Sequence, residues 1–177
     1  SEEDITPPQI IDFSFNPNEI DVTESSQTIE FSFTIMDDLS GVKSFEFSFI
    51  SPSGQQSINS PHIDCDTTNL IVWNHSFTLD IPQNVESGVY NLDRLYVEDN
   101  VGNKMIYSDS DCGINNPECE SLQDLVGELD LETEINIVSE EDITPPQIID
   151  FSFNPNEIDV TESSQTIEFS FTIMDDL

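Results

Sequence analysis

Acidic and amide side chains are concentrated in the parts of this chain whose composition predicts turns. Aspartate and asparagine favour turns because their short side chains hydrogen-bond to nearby backbone groups. Carboxylate and amide oxygens are also the ligands that Ca²⁺ prefers, about six to eight at a time in irregular loops. The residues that folding could gather into such a site are Asp4, Asp37, Asp38, Asp64, Asp66, Asp99, Asn100 and Asn103.

A second, weaker metal candidate is the twelve-residue segment 109–120, with the sequence DSDCGINNPECE. Its oxygen-bearing residues match positions 1, 3, 7 and 12 of an EF-hand loop, but glycine is at position 5 instead of 6 and proline is at position 9. An ordinary solvated loop is therefore the alternative interpretation. The four candidate ligands are Asp109, Asp111, Asn115 and Glu120.

Three cysteines provide a possible redox signature. Cys112 and Cys119 bracket a six-residue loop, and a disulfide between them is predicted for an oxidising compartment. Cys65 is then unpaired or bonded to a partner molecule. The alternative is that all three are free thiols.

No motif for catalysis or nucleotide binding is present: the sequence contains no G-x-S-x-G, Walker loop, H-E-x-x-H or dinucleotide fingerprint. The chain is therefore predicted not to be an enzyme. Its net charge of −34, from 37 acidic and 3 basic residues, argues against binding to nucleic acid or anionic membrane surfaces. The longest apolar run has four residues, 70–73, so no membrane insertion is expected.

The chain contains an exact internal repeat. Residues 1–39 recur without a change as residues 139–177, which gives a period of 138 residues. We interpret residues 1–138 as one complete repeat and residues 139–177 as the first two strands of the next. Either the sequence is a window on a longer array, or the second copy pairs with another molecule by strand addition.

Short segments of alternating apolar and polar residues must position the turns. They occupy residues 11–15, 29–35, 45–49, 71–81, 90–97 and 105–107, and a slip between Leu92 and Leu95 predicts a bulge. Residues 120–128 have helical spacing, and residues 133–138 alternate again. The pattern predicts an all-β sandwich of two sheets, with a short helix before the last strand.

Several motifs together resemble a known family. DITPP at 4–8, MDDLSGV at 36–42 and VEDNVGN at 97–103 are similar to the bacterial immunoglobulin-like repeats of giant surface and secreted proteins. The resemblance implies an immunoglobulin-like Greek-key β-sandwich in a tandem array. It also implies Ca²⁺ at the joints between repeats, as in cadherin-like modules. Segment 109–120 departs from the family pattern.

In such a sandwich, successive strands alternate in direction, so the start of the chain and every second loop meet at one end. The six aspartates named above would then converge within about 10 Å and repel one another. A bound Ca²⁺ would relieve that repulsion and connect consecutive repeats. The alternative is that each loop is simply a good turn, with no metal.

The sequence is thus interpreted as a structural repeat of an extracellular bacterial adhesin, stalk or matrix fibre, stiffened by Ca²⁺. Its partners would be neighbouring repeats or identical subunits. One alternative is a carbohydrate-binding accessory module that holds surface glycans on exposed, coplanar aromatic side chains. Another is a self-assembling filament in which residues 139–177 complete a neighbouring subunit by strand exchange.

Overall fold

The computed structural model describes residues 3–110, 112, 116–140 and 142–175 of the 177-residue chain. The chain divides into two compact units, Ser1–Glu141 and Asp142–Leu177, which we call the first unit and the second unit. This division lies three residues after the boundary that the sequence repeat predicts.

The described part of the first unit is mostly β-structure, with one short helix. Its elements, in chain order, are β1 (Gln9–Asn16), β2 (Glu19–Asp21), β3 (Gln27–Met36), β4 (Val42–Ile50), β5 (Ser57–Asn59), β6 (Ile63–Asp64), β7 (Val72–Ile81), β8 (Gly88–Asp99), β9 (Lys104–Ser108), β10 (Cys119–Glu120), α1 (Leu122–Leu129) and β11 (Glu134–Val138).

These strands form two sheets. The smaller is antiparallel, with β3 between β1 and β7. The larger is built around β8, which pairs with β4, with β9 and with β11. The short strands β5 and β6 pair with β4, β2 pairs with β11, and β10 pairs with β9. The register between β4 and β8 skips Asp93, which confirms the predicted irregularity between Leu92 and Leu95.

Phenylalanine side chains fill the space between the two sheets. Phe13 and Phe31 of the smaller sheet contact Phe47 of β4, with ring centroids 5.4 and 4.5 Å apart. Phe33 contacts Phe45 at 4.3 Å. None of these five side chains is more than 2% exposed. Because side chains alternate between the faces of a strand, the Phe-x-Phe spacing places each ring in the core and each intervening polar residue outside.

The helix begins and ends with conventional caps. The side chain of Ser121 accepts a hydrogen bond from the backbone N–H of Asp124 at 3.3 Å, which satisfies one free donor of the first turn. Asp130 ends the helix in the left-handed conformation, and Leu122 and Leu125 are buried. The helix predicted over 120–128 is thus confirmed, with its boundaries moved by one or two residues.

The turns at residues 37–41 and 99–103 lie at one end of the first unit, and the end of the last strand, β11, lies at the other. Val42, just after the turn that follows β3, pairs with Asp99 at the end of β8. Ile137 of β11 lies opposite Gly88, the first residue of β8. A strand of this length spans about 36 Å at about 3.3 Å per residue. Residue 138 therefore lies about one strand length from the turns at residues 37–41 and 99–103.

The second unit has one strand pair, β12 (Gln147–Asn154) and β13 (Glu168–Met174), with the same register and the same bulge as β1 and β3. Its apolar side chains have no opposing sheet within the described residues 142–175. Phe151, Phe153, Phe169 and Phe171 are 49–63% exposed, whereas the four identical residues of the first unit are at most 9% exposed. Identical sequences thus form the same strand pair in both units, but only in the first unit does a second sheet bury its phenylalanines.

No helix among the described residues is long and apolar enough to cross a membrane.

The repeat supplies a matched pair of core substitutions. We expect Phe31→Ala to destabilise the first unit by about 3–5 kcal/mol, because it removes a fully buried ring. Phe169→Ala, at the equivalent position, should leave the stability of the first unit unchanged. Urea unfolding followed by the fluorescence of Trp73, the only tryptophan, measures the first unit alone. Equal effects of the two substitutions would contradict this account of the core.

Candidate functional site

Three carboxylates of the first unit lie close enough together to bind one cation. Asp4, Asp37 and Asp99 each place one carboxylate oxygen within 4.8 Å of the others, and we call them the acidic trio. Asp37 directly follows β3, Asp99 is the last residue of β8, and Asp4 belongs to the N-terminal segment, residues 3–8, that precedes β1. The trio therefore forms where two turns and the start of the unit meet.

Asp99 organises the turn between β8 and β9. One carboxylate oxygen accepts hydrogen bonds from the backbone N–H groups of Val101, Gly102 and Asn103 at 2.6–2.9 Å. The other accepts a bond from the Asn103 side-chain amide at 2.6 Å. Asp99 is fully buried, and these donors balance its charge. The ordinary turn-forming role of aspartate is therefore sufficient to explain this residue.

Asp37 is different, because only one of its two oxygens has a partner. Oδ2 accepts hydrogen bonds from the backbone N–H groups of Gly41 at 2.6 Å and Leu39 at 3.1 Å. Oδ1 is buried and has no hydrogen-bond partner among the described residues, and the residue is 2% exposed. An unpaired buried charged atom costs about 1–3 kcal/mol or more. Turn formation leaves this oxygen unexplained.

Asp4 ties the N-terminal segment to both turns. Its carboxylate accepts hydrogen bonds from the backbone N–H of Ser40 at 2.8 Å and of Thr6 at 3.2 Å, and its backbone carbonyl accepts one from the Asn103 amide at 3.3 Å. Hydrogen bonding from Ser40 and, less strongly, from Thr6 holds the pKa of Asp4 below its ordinary value, although desolvation acts in the opposite direction. Asp4 is therefore ionised at neutral pH.

Asn100 and Asn103 were predicted to be metal ligands through their amide oxygens. In the structure, their amide N–H groups instead donate hydrogen bonds that hold the trio together. The Asn100 amide donates to the backbone carbonyls of Ser40 at 3.1 Å and Gly41 at 2.9 Å, which fixes one turn against the other. Asn103 links Asp99 to Asp4 in the same way. Gly41 has φ +87°, and a Cβ atom there would lie 2.5 Å from the backbone of Asn69. Only glycine fits this close approach.

Three other predicted ligands lie outside the trio. Asp38 is exposed and accepts a hydrogen bond from the Thr6 hydroxyl at 2.7 Å. Asp64 pairs with Ser44 across β4 and β6, and its exposed carboxylate lies 3.2 Å from His62. Asp66 is also exposed. The loop after β6 does return to the turn at residues 37–41, since the backbone N–H of Asp37 donates to the carbonyl of Ile71 at 2.8 Å. Three of the six predicted aspartates nevertheless stay outside the trio, because their carboxylates are exposed and do not join it.

The second metal candidate falls partly outside the described residues, which include neither Asp111 nor Asn115. Asp109 accepts hydrogen bonds from the Ser121 hydroxyl at 2.9 Å and the Gln123 N–H at 3.4 Å, so it supports the start of α1. Glu120 is exposed at the end of β10. Cys112 and Cys119 form the predicted disulfide, whereas Cys65 is a free, half-buried thiol.

The structure also contains a charge cluster that the sequence did not reveal. The Nδ1 atom of His62 contacts the Glu46 carboxylate, its Nε2 atom faces Asp64, and Arg94 lies 3.8 Å from Glu46. The hydrogen bond to Glu46, assisted by the charge of Asp64, raises the pKa of His62 above its usual 6.5. These residues come from separate strands and loops and have no common sequence spacing.

The His62 cluster predicts a pH dependence of stability. Because the folded pKa of His62 is raised, its stabilising effect is fully present below pH 6.5 and is lost as the pH rises through the folded pKa. We expect Glu46→Gln to lower the pKa of His62 and to weaken this dependence. NMR titration measures the pKa of His62 in each variant, and urea unfolding at a series of pH values from below 6.5 to above the folded pKa measures the pH dependence of stability. Glu30→Gln, on the other sheet, is the control, and a His62 pKa that is the same in both variants would contradict the assignment.

The comparison with known families agrees with the extent of the first unit. Residues 3–140 match the family described as "Domain of unknown function (DUF7035)", and the match includes the whole acidic trio. A comparison with curated proteins gave no match. Since the matched region covers more than half of the sequence, the chain belongs to the DUF7035 family.

Proposed function

We propose that the first unit is an immunoglobulin-like structural repeat of an extracellular adhesin, stalk or matrix fibre, and that Ca²⁺ bound by the acidic trio stiffens it. The observation that carries the proposal is the unpartnered Oδ1 of Asp37, which is buried beside two further carboxylates. A cation bound there would supply the interaction that this oxygen lacks and would offset the repulsion among three negative charges.

The chemistry of the trio suits a hard cation. The three side chains offer oxygen atoms only. Ca²⁺ tolerates irregular geometry and completes its shell with carbonyl oxygens and water, whereas Mg²⁺ requires a near-ideal octahedron. Turns of unequal shape, such as those at Asp37 and Asp99, therefore favour Ca²⁺.

The position of the trio suggests how binding would affect stiffness. Asp4 is the only member from the N-terminal segment, and the other two belong to turns of the sheets. A shared cation would therefore hold residues 3–8 against the end of the first unit. Because residue 138 lies at the opposite end, successive repeats of this kind would extend in one direction, which suits a stalk or fibre.

Two further observations bear on the setting and on the alternatives. The Cys112–Cys119 disulfide favours an oxidising, extracellular compartment. The exposed large apolar side chains of the described part of the first unit are all aliphatic or Met36. The described part of the first unit thus presents no exposed aromatic platform of the kind that binds sugars, and the carbohydrate-binding alternative has no observation in its favour there.

Calcium binding can be tested with another matched pair of variants. After treatment with EDTA, the chain should bind one Ca²⁺ in isothermal titration calorimetry, and the Trp73-monitored melting temperature should rise by about 5–11 °C at about 100-fold excess over Kd. Asp37→Asn should abolish both effects. Asp175→Asn, the equivalent change in the second unit, should preserve them, because residues 142–175 include no counterpart of Asp99. An unchanged melting temperature with calcium, or equal effects of the two variants, would overturn the proposal.

A second candidate function, self-assembly, is favoured by the uncovered strand pair of the second unit. The four phenylalanines of β12 and β13 form an apolar face that the first unit buries in its own copy. The outer edge of β13 is also free within the described residues, whereas the identical edge of β3 pairs with ten residues of β7. Both features favour pairing with another sheet.

Chain connectivity favours a partner chain over the same chain. The nine residues from 138 to 147 reach at most about 32 Å. Gln147 would have to take the place of Gln9, which lies about one strand length from residue 138. Replacement of β1 and β3 in the same chain would therefore unravel β11. Exchange between chains avoids this strain. However, each β12–β13 pair that enters a partner chain displaces the β1–β3 pair of that chain and exposes its apolar face. Stable assembly must therefore also pair the remaining apolar faces.

Association through this face should depend on concentration. Light scattering of the chain is expected to show oligomers at high concentration that dissociate on dilution. Phe171→Asp should abolish them, because it places a charge on the apolar face. Ser170→Asp, which adds the same charge to the opposite face of β13, is the control. A mass that stays monomeric at every concentration, or equal loss in both variants, would argue against self-assembly.

A further inference from the structure

A groove of about 480 Å³ lies between the start of the smaller sheet and the helix of the larger one. One wall is formed by residues 6–11, and the other by α1 and the residues just before it. The floor includes Met105 and Tyr107 of β9, with Leu125 of α1, and all three are less than 10% exposed. A cavity of this size with an apolar floor can hold a few residues of an extended peptide.

The rim of the groove is acidic and contains no basic residue. Glu120, Asp124 and Glu128 line it, and no lysine, arginine or histidine does. Asp124 and Glu128 lie one helical turn apart, where like charges destabilise a helix. A cation held between them would remove this repulsion. The groove therefore favours an occupant that is positively charged as well as apolar.

The groove also contains a hydroxyl that can donate a hydrogen bond. Tyr107 lines the groove and is 5% exposed as a whole residue, and its hydroxyl is not among the fully buried unpaired atoms of the described residues. Burial, together with the charges of Glu120 and Glu128, raises the pKa of Tyr107 to about 12. The hydroxyl thus stays protonated near the acidic rim, where it can donate to a carbonyl oxygen. A peptide backbone supplies such an acceptor, whereas a simple polyamine does not.

A strand edge borders the same groove. β1 pairs only with β3 within the described residues, so its other edge is free. Gln9, Ile10 and Ile11 line the groove, and Ile11 is the residue skipped by the β1–β3 register. Extended peptides bind to such edges through backbone hydrogen bonds, and neighbouring pockets take alternate side chains.

The occupant is not a second copy of this chain. The sequence has only three basic residues, Lys43, Arg94 and Lys104, and each already lies within 4.0 Å of a glutamate. The cation must therefore come from a different, basic protein.

We propose that this groove is a binding site for an extended segment of a basic partner protein, in which lysine or arginine residues alternate with aliphatic ones. The cationic side chains contact Glu120, Asp124 and Glu128. An aliphatic side chain packs on Met105 and Leu125, and a backbone carbonyl accepts a hydrogen bond from Tyr107. None of the three carboxylates of the acidic trio lines this groove, although its wall includes residues 6–8 of the N-terminal segment.

The test uses the full chain in EDTA and a fluorescein-labelled hexapeptide of alternating leucine and lysine, measured by fluorescence anisotropy. The triple variant Glu120→Gln, Asp124→Asn, Glu128→Gln should weaken binding at least 10-fold. The matched control, Glu30→Gln, Glu132→Gln, Glu134→Gln, removes the same charge from exposed positions outside the groove and should change the affinity less than twofold. Tyr107→Phe should weaken binding about threefold or more, and Trp73 fluorescence should verify that each variant is folded.

Several outcomes would overturn the proposal. Equal weakening by the two triple variants would mean general attraction of a cation to an acidic chain. Equal affinity for a glycine–lysine hexapeptide would show that the apolar floor does not contribute to binding. Equal affinity for spermidine would identify a polyamine site instead. An unchanged affinity in Tyr107→Phe would contradict peptide recognition. Failure of the hexapeptide to bind at all would overturn the proposal and would leave the calcium proposal unaffected.

Discussion

Contact between phenylalanine rings of the two sheets determines where every other part of the first unit lies. Phe13, Phe31 and Phe33 pack on Phe45 and Phe47, and this packing fixes the two sheets against each other. Although β3 and β8 belong to different sheets, this packing acts together with the pairing of Val42 with Asp99 and the Asn100 hydrogen bonds to bring Asp37 close to Asp99. The acidic trio thus depends on core packing and strand pairing, even though none of its members belongs to the core cluster.

The trio and the groove show two ways in which negative charge is arranged in this acidic chain. In the trio, backbone N–H groups satisfy Asp99 and one oxygen of Asp37, and the remaining buried oxygen favours a metal ion. In the groove, the carboxylates are on a rim that water can reach, and the apolar floor beneath them favours a larger organic cation. Burial is therefore the difference between the proposed metal site and the proposed peptide site, since both consist of carboxylates.

The two copies of the 39-residue repeat separate local from tertiary effects. β1 and β3 have the same register and bulge as β12 and β13, so local sequence is sufficient to specify the strand pair. The phenylalanines are buried only in the first unit, because burial requires a second sheet that residues 142–175 do not contain. This is the expected behaviour of an isolated two-stranded sheet, which is at best marginally stable in water.

The sequence by itself determined the mostly β fold, the bulge near residue 93, the helix before the last strand and the turns that carry the acidic residues, because each depends on local periodicity or turn chemistry. Strands as short as β2 and β10, with three and two residues, were not predicted, since they depend on pairing partners elsewhere in the chain. Only the tertiary structure decided that Asp4, Asp37 and Asp99 meet while Asp64 and Asp66 face elsewhere. It also brought His62 to Glu46 and placed the groove beside α1. These outcomes depend on which strands are neighbours and how the sheets pack, and side-chain spacing along one strand does not contain that information.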